Sequence, residues 1–187
     1  MNPSIETIFN RRSVSAYESK QIPRDVLDTI LSCGDAGPSG ANNREWRYVI
    51  IQDTAFKKKL VDLGMPLYRK WLEKMPQTFR DMRREIDKSP DPIYYGAPTI
   101  VFVIGKGMTA DLDCPMACLN IMLAARSLGI GSCWVFIGQL VLQDPSIKED
   151  FKLLEGEEVF GPIIIGYPLQ NKFPPRPENA RLPIAWK

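Results

Sequence analysis

The sequence contains no histidine. That absence excludes Ser-His-Asp and Cys-His catalysis and removes the commonest side-chain ligand of transition metals. An enzyme made from this chain therefore takes its chemistry from a bound cofactor. Neither sign of charge is in excess: 24 Lys and Arg stand against 22 Asp and Glu, a formal net charge of +2. So near-neutral a balance implies neither a nucleic-acid nor a membrane partner, and no basic stripe marks a nucleic-acid module. No apolar run reaches the roughly 18 residues that span a bilayer. The start, MNPSIETIFNRRS, lacks an uninterrupted apolar stretch and does not read as a secretory signal. Cysteine is confined to Cys33, Cys114, Cys118 and Cys133. In a chain without a signal, the expectation is reduced thiols in a cytoplasm.

What is present suits a single globular domain over residues 1–187, with 44% hydrophobic residues to build its core. Ile5, Ile8 and Phe9 give a short helical face, and Val26, Leu27, Ile30 and Leu31 a second one that stops at Gly34. Trp46–Ile51 is a β-prone run. Asp53 can cap a helix through Lys57–Leu63 that ends at Gly64. Leu67–Ile86 reads as another helix, broken or kinked by Pro76. Thr99–Ile104 (TIVFVI) has the pattern of a buried strand. Asp113 or Cys114 can cap a helix with Pro115 in its first turn. From Met116 to Leu128 that helix is apolar nearly all round, which requires burial on more than one side. Ser132–Ile137 reads as a strand or extended segment, Pro145–Leu154 as a helix and Val159–Tyr167 as the last core strand. Beyond Pro168 the prolines exclude helix and central strand, so the tail should lie extended along a surface. The order predicts an α+β domain with a mixed sheet.

Three short stretches carry candidate chemistry. Arg11-Arg12-Ser13 places two guanidiniums and a hydroxyl at a helix-to-turn junction. They can hold a phosphate, or the arginines can simply complement the helix dipole. Pro38-Ser39-Gly40-Ala41-Asn42 is a loop of small and amide residues that lets backbone approach a flat ligand, or is an ordinary polar loop. Gly129-Ile130-Gly131-Ser132-Cys133-Trp134 leads into a strand and can expose backbone N–H groups, or is a helix cap alone. It is not a dinucleotide-binding turn, because it does not follow a strand and open a helix. Cys114 and Cys118 have the wrong spacing for a zinc knuckle and read as buried helix cysteines. Lys57-Lys58-Lys59 and Arg83-Arg84 read as solvated helix faces.

Taken in order, these pieces resemble the nitroreductase family of FMN-dependent oxidoreductases. The resemblance runs through Arg11-Arg12-Ser13 with Tyr17, then Pro38-Ser39-Gly40-Ala41-Asn42, then Trp46-Arg47-Tyr48. It continues through Ala97-Pro98, Asn120–Ala125, Leu128–Trp134, Gly166-Tyr167-Pro168 and Arg181-Leu182-Pro183, covering nearly the whole chain. It implies an α+β fold that dimerises through a large interface, with two FMN sites each built from both chains. By resemblance, Arg11, Arg12 and Ser13 reach the FMN phosphate and ribityl chain, joined by Arg181 and, more weakly, Arg176. Pro38, Ser39, Gly40 and Asn42 come from the other chain to flank the isoalloxazine. Trp134, Val135 and Phe136 line a face or edge of the ring. The implied reaction is ping-pong transfer from NADH or NADPH through flavin N5 to a nitroaromatic, a quinone or a similar acceptor.

Two departures stand out. Ser15 occupies a position that is often basic in the family; it can hydrogen-bond the flavin's pyrimidine edge there but brings no positive charge. Arg44-Glu45 replaces the usual Gln-Pro before the tryptophan. The Tyr68–Ile86 segment, with Tyr68, Trp71 and Phe79, either shapes an acceptor pocket or is plain helix packing. Other FMN chemistry, such as dehalogenation or dehydrogenation, and a non-catalytic flavin-binding dimer are the competing readings.

Overall fold

The computed structural model describes residues 2–175. Helix α1 (Pro3–Asn10) opens with Pro3, and the Asn2 side chain accepts from the Ser4 N–H at 2.9 Å. Helix α2 (Arg24–Asp35) buries Leu27, Ile30, Leu31 and Gly34, the helical stripe its sequence predicts. Strand β1 (Trp46–Ile51) follows where expected.

The next segment departs from expectation. Helix α3 (Thr54–Glu73) starts at the Asp53 cap but runs straight through Gly64 and Pro66. Leu60, Gly64 and Tyr68 form its buried stripe. A Cβ on Gly64 would lie 3.1 Å from Ile93 Cδ1, so the bare Cα serves close packing and not chain termination. Here tertiary contact outweighs the local stop signals. The break at Pro76 falls where expected, ahead of a separate helix α4 (Gln77–Arg83), while Leu67–Glu73 belongs to α3.

Strand β2 (Thr99–Lys106) is buried along almost its whole length. Helix α5 (Ala110–Ser127) begins earlier than its sequence suggested, with Thr109 as the cap in place of Asp113 or Cys114. The Thr109 carbonyl accepts from the Asp113 N–H at 2.9 Å, which places Asp113 in the first turn and Pro115 inside the helix. Strand β3 (Gly131–Trp134) stops before Ile137, because the chain turns into a tight 3-10 stretch over Phe136–Gln143 that packs on α3. Helix α6 (Pro145–Asp150) is capped by Asp144 and is shorter than the Pro145–Leu154 reading; Lys152 already has φ +49. Strand β4 (Glu157–Gly166) completes the sheet.

The order is β1-β2-β4-β3, and every pairing among these strands is antiparallel. Among the described residues, the parallel pairing that a mixed sheet predicts is confined to an isolated bridge between Ser13 and Ser132 at the β3 edge. Helices cover both faces. Val101, Val103, Ile163 and Ile165 pack with α2 and α5, while Ile100, Phe102, Ile104 and Ile164 pack with α3 and the 136–143 stretch. A strand covered on both sides has no reason to alternate, which is why TIVFVI reads as one apolar run. Cys114 and Cys118 lie on the sheet-facing side of α5, and burial pushes each thiol up to about 12.

Among the described residues, apolar side chains of α1 and α5 are exposed. Ile5, Ile8 and Phe9 of α1 are 47%, 58% and 41% exposed, and Leu112, Leu119 and Leu128 on or beside α5 are exposed as well. Among the described residues, no helix is long and apolar enough to cross a membrane.

Candidate functional site

The Arg11–Ser15 segment leaves α1 in an extended conformation, with Arg11 at φ −63 and ψ 133. It then lies along the free edge of β3: Ser13 bridges Ser132, and the Val14 N–H donates to the Ser132 carbonyl at 3.0 Å. Val14 is seated directly on Gly131, where a Cβ would come within 2.9 Å of the Val14 side chain. Only glycine allows this approach, so Gly131 fixes the segment's height above the sheet. Arg12 Nη1 donates to the carbonyls of Phe9 at 2.8 Å and Arg11 at 2.5 Å. Complementing the end of α1 is therefore part of what Arg12 does, and it also orients the guanidinium.

This clasp brings together two of the three candidate stretches. Cys133 lies beside Ser13 and Arg11; burial pushes its thiol up, while the Ser13 side chain and the Arg11 charge pull it back. Trp134 is half-buried and pairs with Ile163. Val135 is buried and its N–H donates to the Pro162 carbonyl at 2.8 Å, whereas Phe136 is 62% exposed. Ser15 lines a cavity of about 340 Å³ with Val14, Ala16, Gln170, Lys172 and Phe173. Beneath the same segment, Tyr17 donates to the Val14 carbonyl, and burial raises its hydroxyl pKa strongly.

The third stretch lies elsewhere. The Gly40 N–H donates to both carboxylate oxygens of Asp113, at 3.1 and 3.2 Å, in the first turn of α5. Ser13 docks at Ser132, just beyond the other end of that helix. The helix from Asp113 to Ser127 is about 20 Å long at about 1.5 Å per residue. Within one chain, then, the loop carrying Pro38, Ser39, Gly40 and Asn42 does not meet Arg11, Arg12 and Ser13. Arg176 and Arg181 lie outside the described residues.

The loop's shape is set by contacts that sequence reading missed. Ser39 Oγ accepts from the Arg44 N–H at 3.1 Å, and Asn42 Oδ1 accepts from Arg44 Nε at 3.1 Å. Asp35 Oδ1 accepts from Tyr48 at 2.8 Å and from Trp46 Nε1 at 3.2 Å, tying the end of α2 to β1. Asp113 carried a signal only as a candidate helix cap, and Thr109, four residues before it, carried none. Arg83 was missed altogether. It is 6% exposed and donates to Tyr68 Oη at 2.9 Å, Tyr95 Oη at 2.6 Å and the Pro92 carbonyl at 2.5 Å. The solvated-face reading holds for its exposed neighbour Arg84 but not for Arg83.

The sequence model described as the nitroreductase family matches residues 8–167. The chain belongs to the nitroreductase family. A nitroreductase with bound FMN from Bacteroides fragilis is 31% identical, covers 100% of this chain and 98% of its own, and superposes with a TM-score of 0.78. A protein of Methanothermobacter thermautotrophicus named for NADH dehydrogenase and NAD(P)H nitroreductase activity is 27% identical over 173 residues. That match takes in 89% of this chain and 78% of the relative. An FMN reductase [NAD(P)H] of Bacillus subtilis is 26% identical over 203 residues, 96% of this chain and 72% of that protein. The nitroreductase fold thus accounts for the helix-covered antiparallel sheet.

Proposed function

We propose that this nitroreductase-family chain is a cytoplasmic FMN-dependent oxidoreductase, working as a homodimer in which each flavin site takes residues from both copies. The observation that carries the reading is the Arg11-Arg12-Ser13 segment clasped to β3 beside Trp134–Phe136, in a chain matched by the family over residues 8–167. The donor chemistry fits the cofactor. Two guanidiniums and a hydroxyl on one short extended segment match a dianionic phosphate, because Arg offers a planar fork of donors to its oxygens. Arg181 and Arg176 are expected to add to that grip.

When bound, FMN supplies two-electron chemistry at N5, taking hydride from NADH or NADPH and returning electrons to a nitroaromatic, quinone or similar acceptor in alternating half-reactions. The chain's own work is placement. Arg11, Arg12 and Ser13 hold the anionic tail. Ser15 offers a hydroxyl near the ring without adding charge. Trp134, Val135 and Phe136 bound the ring on the same chain, with Val135 buried in the core and Phe136 exposed to whatever stacks beside it. Hydride transfer needs no side-chain acid or base, so a histidine-free chain suits the reaction.

Two features support the dimer. The loop with Pro38, Ser39, Gly40 and Asn42 is separated from the arginine pair by much of α5, so only a second copy brings the two together. The exposed apolar residues of α1 and α5 form a surface suited to that copy. Purified protein should be yellow, with bands near about 370 and about 450 nm, and should oxidise NADH or NADPH when a nitroaromatic or quinone is supplied. A colourless monomer that takes up no added FMN would refute the reading.

A further inference from the structure

We infer that Asp113 is a positioning residue that shapes the Pro38–Asn42 loop and, through it, the flavin site of the partner copy; this rests on the two-copy site proposed above. The loop is strained. Ala41, Asn42 and Arg44 have φ of 51, 57 and 52, a left-handed region that side chains rarely adopt. Such backbone persists only where its surroundings over-determine it. Asp113 is the buried centre of those surroundings, 7% exposed in the first turn of α5. Its carboxylate accepts from the Gly40 N–H with both oxygens and from Thr109 Oγ1 at 2.8 Å. Thr109 in turn fills the space beside Gly40: a Cβ there would sit 2.5 Å from Thr109 Oγ1. Gly40 is thus held by a charge-assisted hydrogen bond on one side and by steric contact on the other. Asp113 touches neither flavin nor substrate in this arrangement. Its effect is to keep Ser39, Gly40 and Asn42 in one shape.

The test uses the full-length dimer and FMN titration followed by fluorescence quenching. Asp113→Ala should weaken FMN binding about tenfold, the scale of a lost hydrogen bond to a charged group. Gly40→Ala, which displaces the same loop without touching the carboxylate, should move affinity in the same direction. Circular dichroism melts of each variant establish that the fold is retained; if Asp113→Ala unfolds, Gly40→Ala decides. Mixed dimers give the readout that a purely structural role would not move. An Arg11→Ala chain paired with an Asp113→Ala chain keeps one undamaged site if loop and arginine come from different copies. The mixed dimer should then bind one FMN with wild-type affinity. Wild-type affinity in the folded Asp113→Ala and Gly40→Ala homodimers overturns the positioning role. A mixed dimer with no wild-type site overturns its action across the interface. A wild-type protein that binds no FMN overturns the underlying functional reading and this inference with it.

Discussion

Replacing Arg83 with methionine removes a buried cation while keeping most of its volume. The side chain joins α4 to the rest of the molecule: Tyr68 comes from α3, Pro92 and Tyr95 from the segment before β2. The guanidinium carbon also sits 5.3 Å from the Tyr68 ring centre and 5.6 Å from that of Tyr95. Asp87 completes the group, accepting from Tyr68 Oη at 2.5 Å with Arg83 Nε at 3.6 Å. In Arg83→Met the Pro92 carbonyl loses its side-chain donor, at a cost of about 1–3 kcal/mol. The Tyr95 hydroxyl loses its partner and Asp87 loses its neighbouring cation. Breaking a fully buried charged pair by deleting one member costs about 3–5 kcal/mol; Asp87 is 25% exposed, and it is the added loss of the Pro92 and Tyr95 bonds that brings the total into that range. With a urea m-value of about 2 kcal/mol/M, a loss of about 4 kcal/mol moves the unfolding midpoint down by about 2 M. Arg83→Lys should fall between, since one ammonium cannot reproduce the fork that reaches Tyr68, Tyr95 and Pro92 together. Equilibrium urea unfolding, followed by tryptophan fluorescence with Trp71 beside the cluster, measures the shift. A midpoint within about 0.3 M of wild type for Arg83→Met, at unchanged m, would refute the claim that this network ties α4 down.

Three further outcomes are expected. The Arg47 guanidinium holds Glu157 well below its ordinary carboxyl value, at about 2. A depressed carboxyl stabilises the fold above its ordinary value of 4.5 and loses that contribution as pH falls toward 2, so Glu157→Gln should flatten this part of the acid-unfolding curve. Leu119→Asp places a charge on the exposed face of α5 and should convert the proposed dimer to a monomer in sedimentation, with loss of bound FMN. With Ser15 at the ring's pyrimidine edge, as proposed, Ser15→Lys brings a positive charge there and should raise the flavin midpoint potential by about 30 mV, equal to about 1.4 kcal/mol for a two-electron couple; an unchanged potential in spectroelectrochemical titration would remove Ser15 from that edge.

The strands were the most legible part of the chain, because burial on both faces writes an uninterrupted apolar run at Thr99–Ile104 and again before Gly166. Helix limits were less so. Gly64 and Pro66 carry the local grammar of an ending, yet Ile93 packs onto Gly64 from outside the helix and the turn continues. Asp113 was visible as a helix-start residue, but its bond to Gly40 joins positions far apart in sequence and leaves no periodic trace. Arg83 shows the same limit more sharply. Next to Arg84 it looks like one more solvated charge, and only the arrival of Tyr68 and Tyr95 from other elements makes it the interior one. For the candidate site, motif order located the Arg11–Ser13 and Trp134–Phe136 stretches that the sheet edge brings together. The Pro38–Asn42 loop was found by motif alone, and its distance from them is a property of how α5 lies.

The clasp between Ser13 and Ser132 also dictates when the arginine pair can take shape during synthesis. Contacts across so long a sequence interval close late, since much chain must already be ordered. A nascent chain that has just emerged through α5 has Arg11 and Arg12 but no β3 edge to hold them. Glu18, whose N–H donates to the Tyr167 carbonyl, must wait for still later residues. The phosphate grip proposed for Arg11 and Arg12 therefore takes its shape only after the β3 edge and the residues around Tyr167 have been made, and shorter fragments lack it.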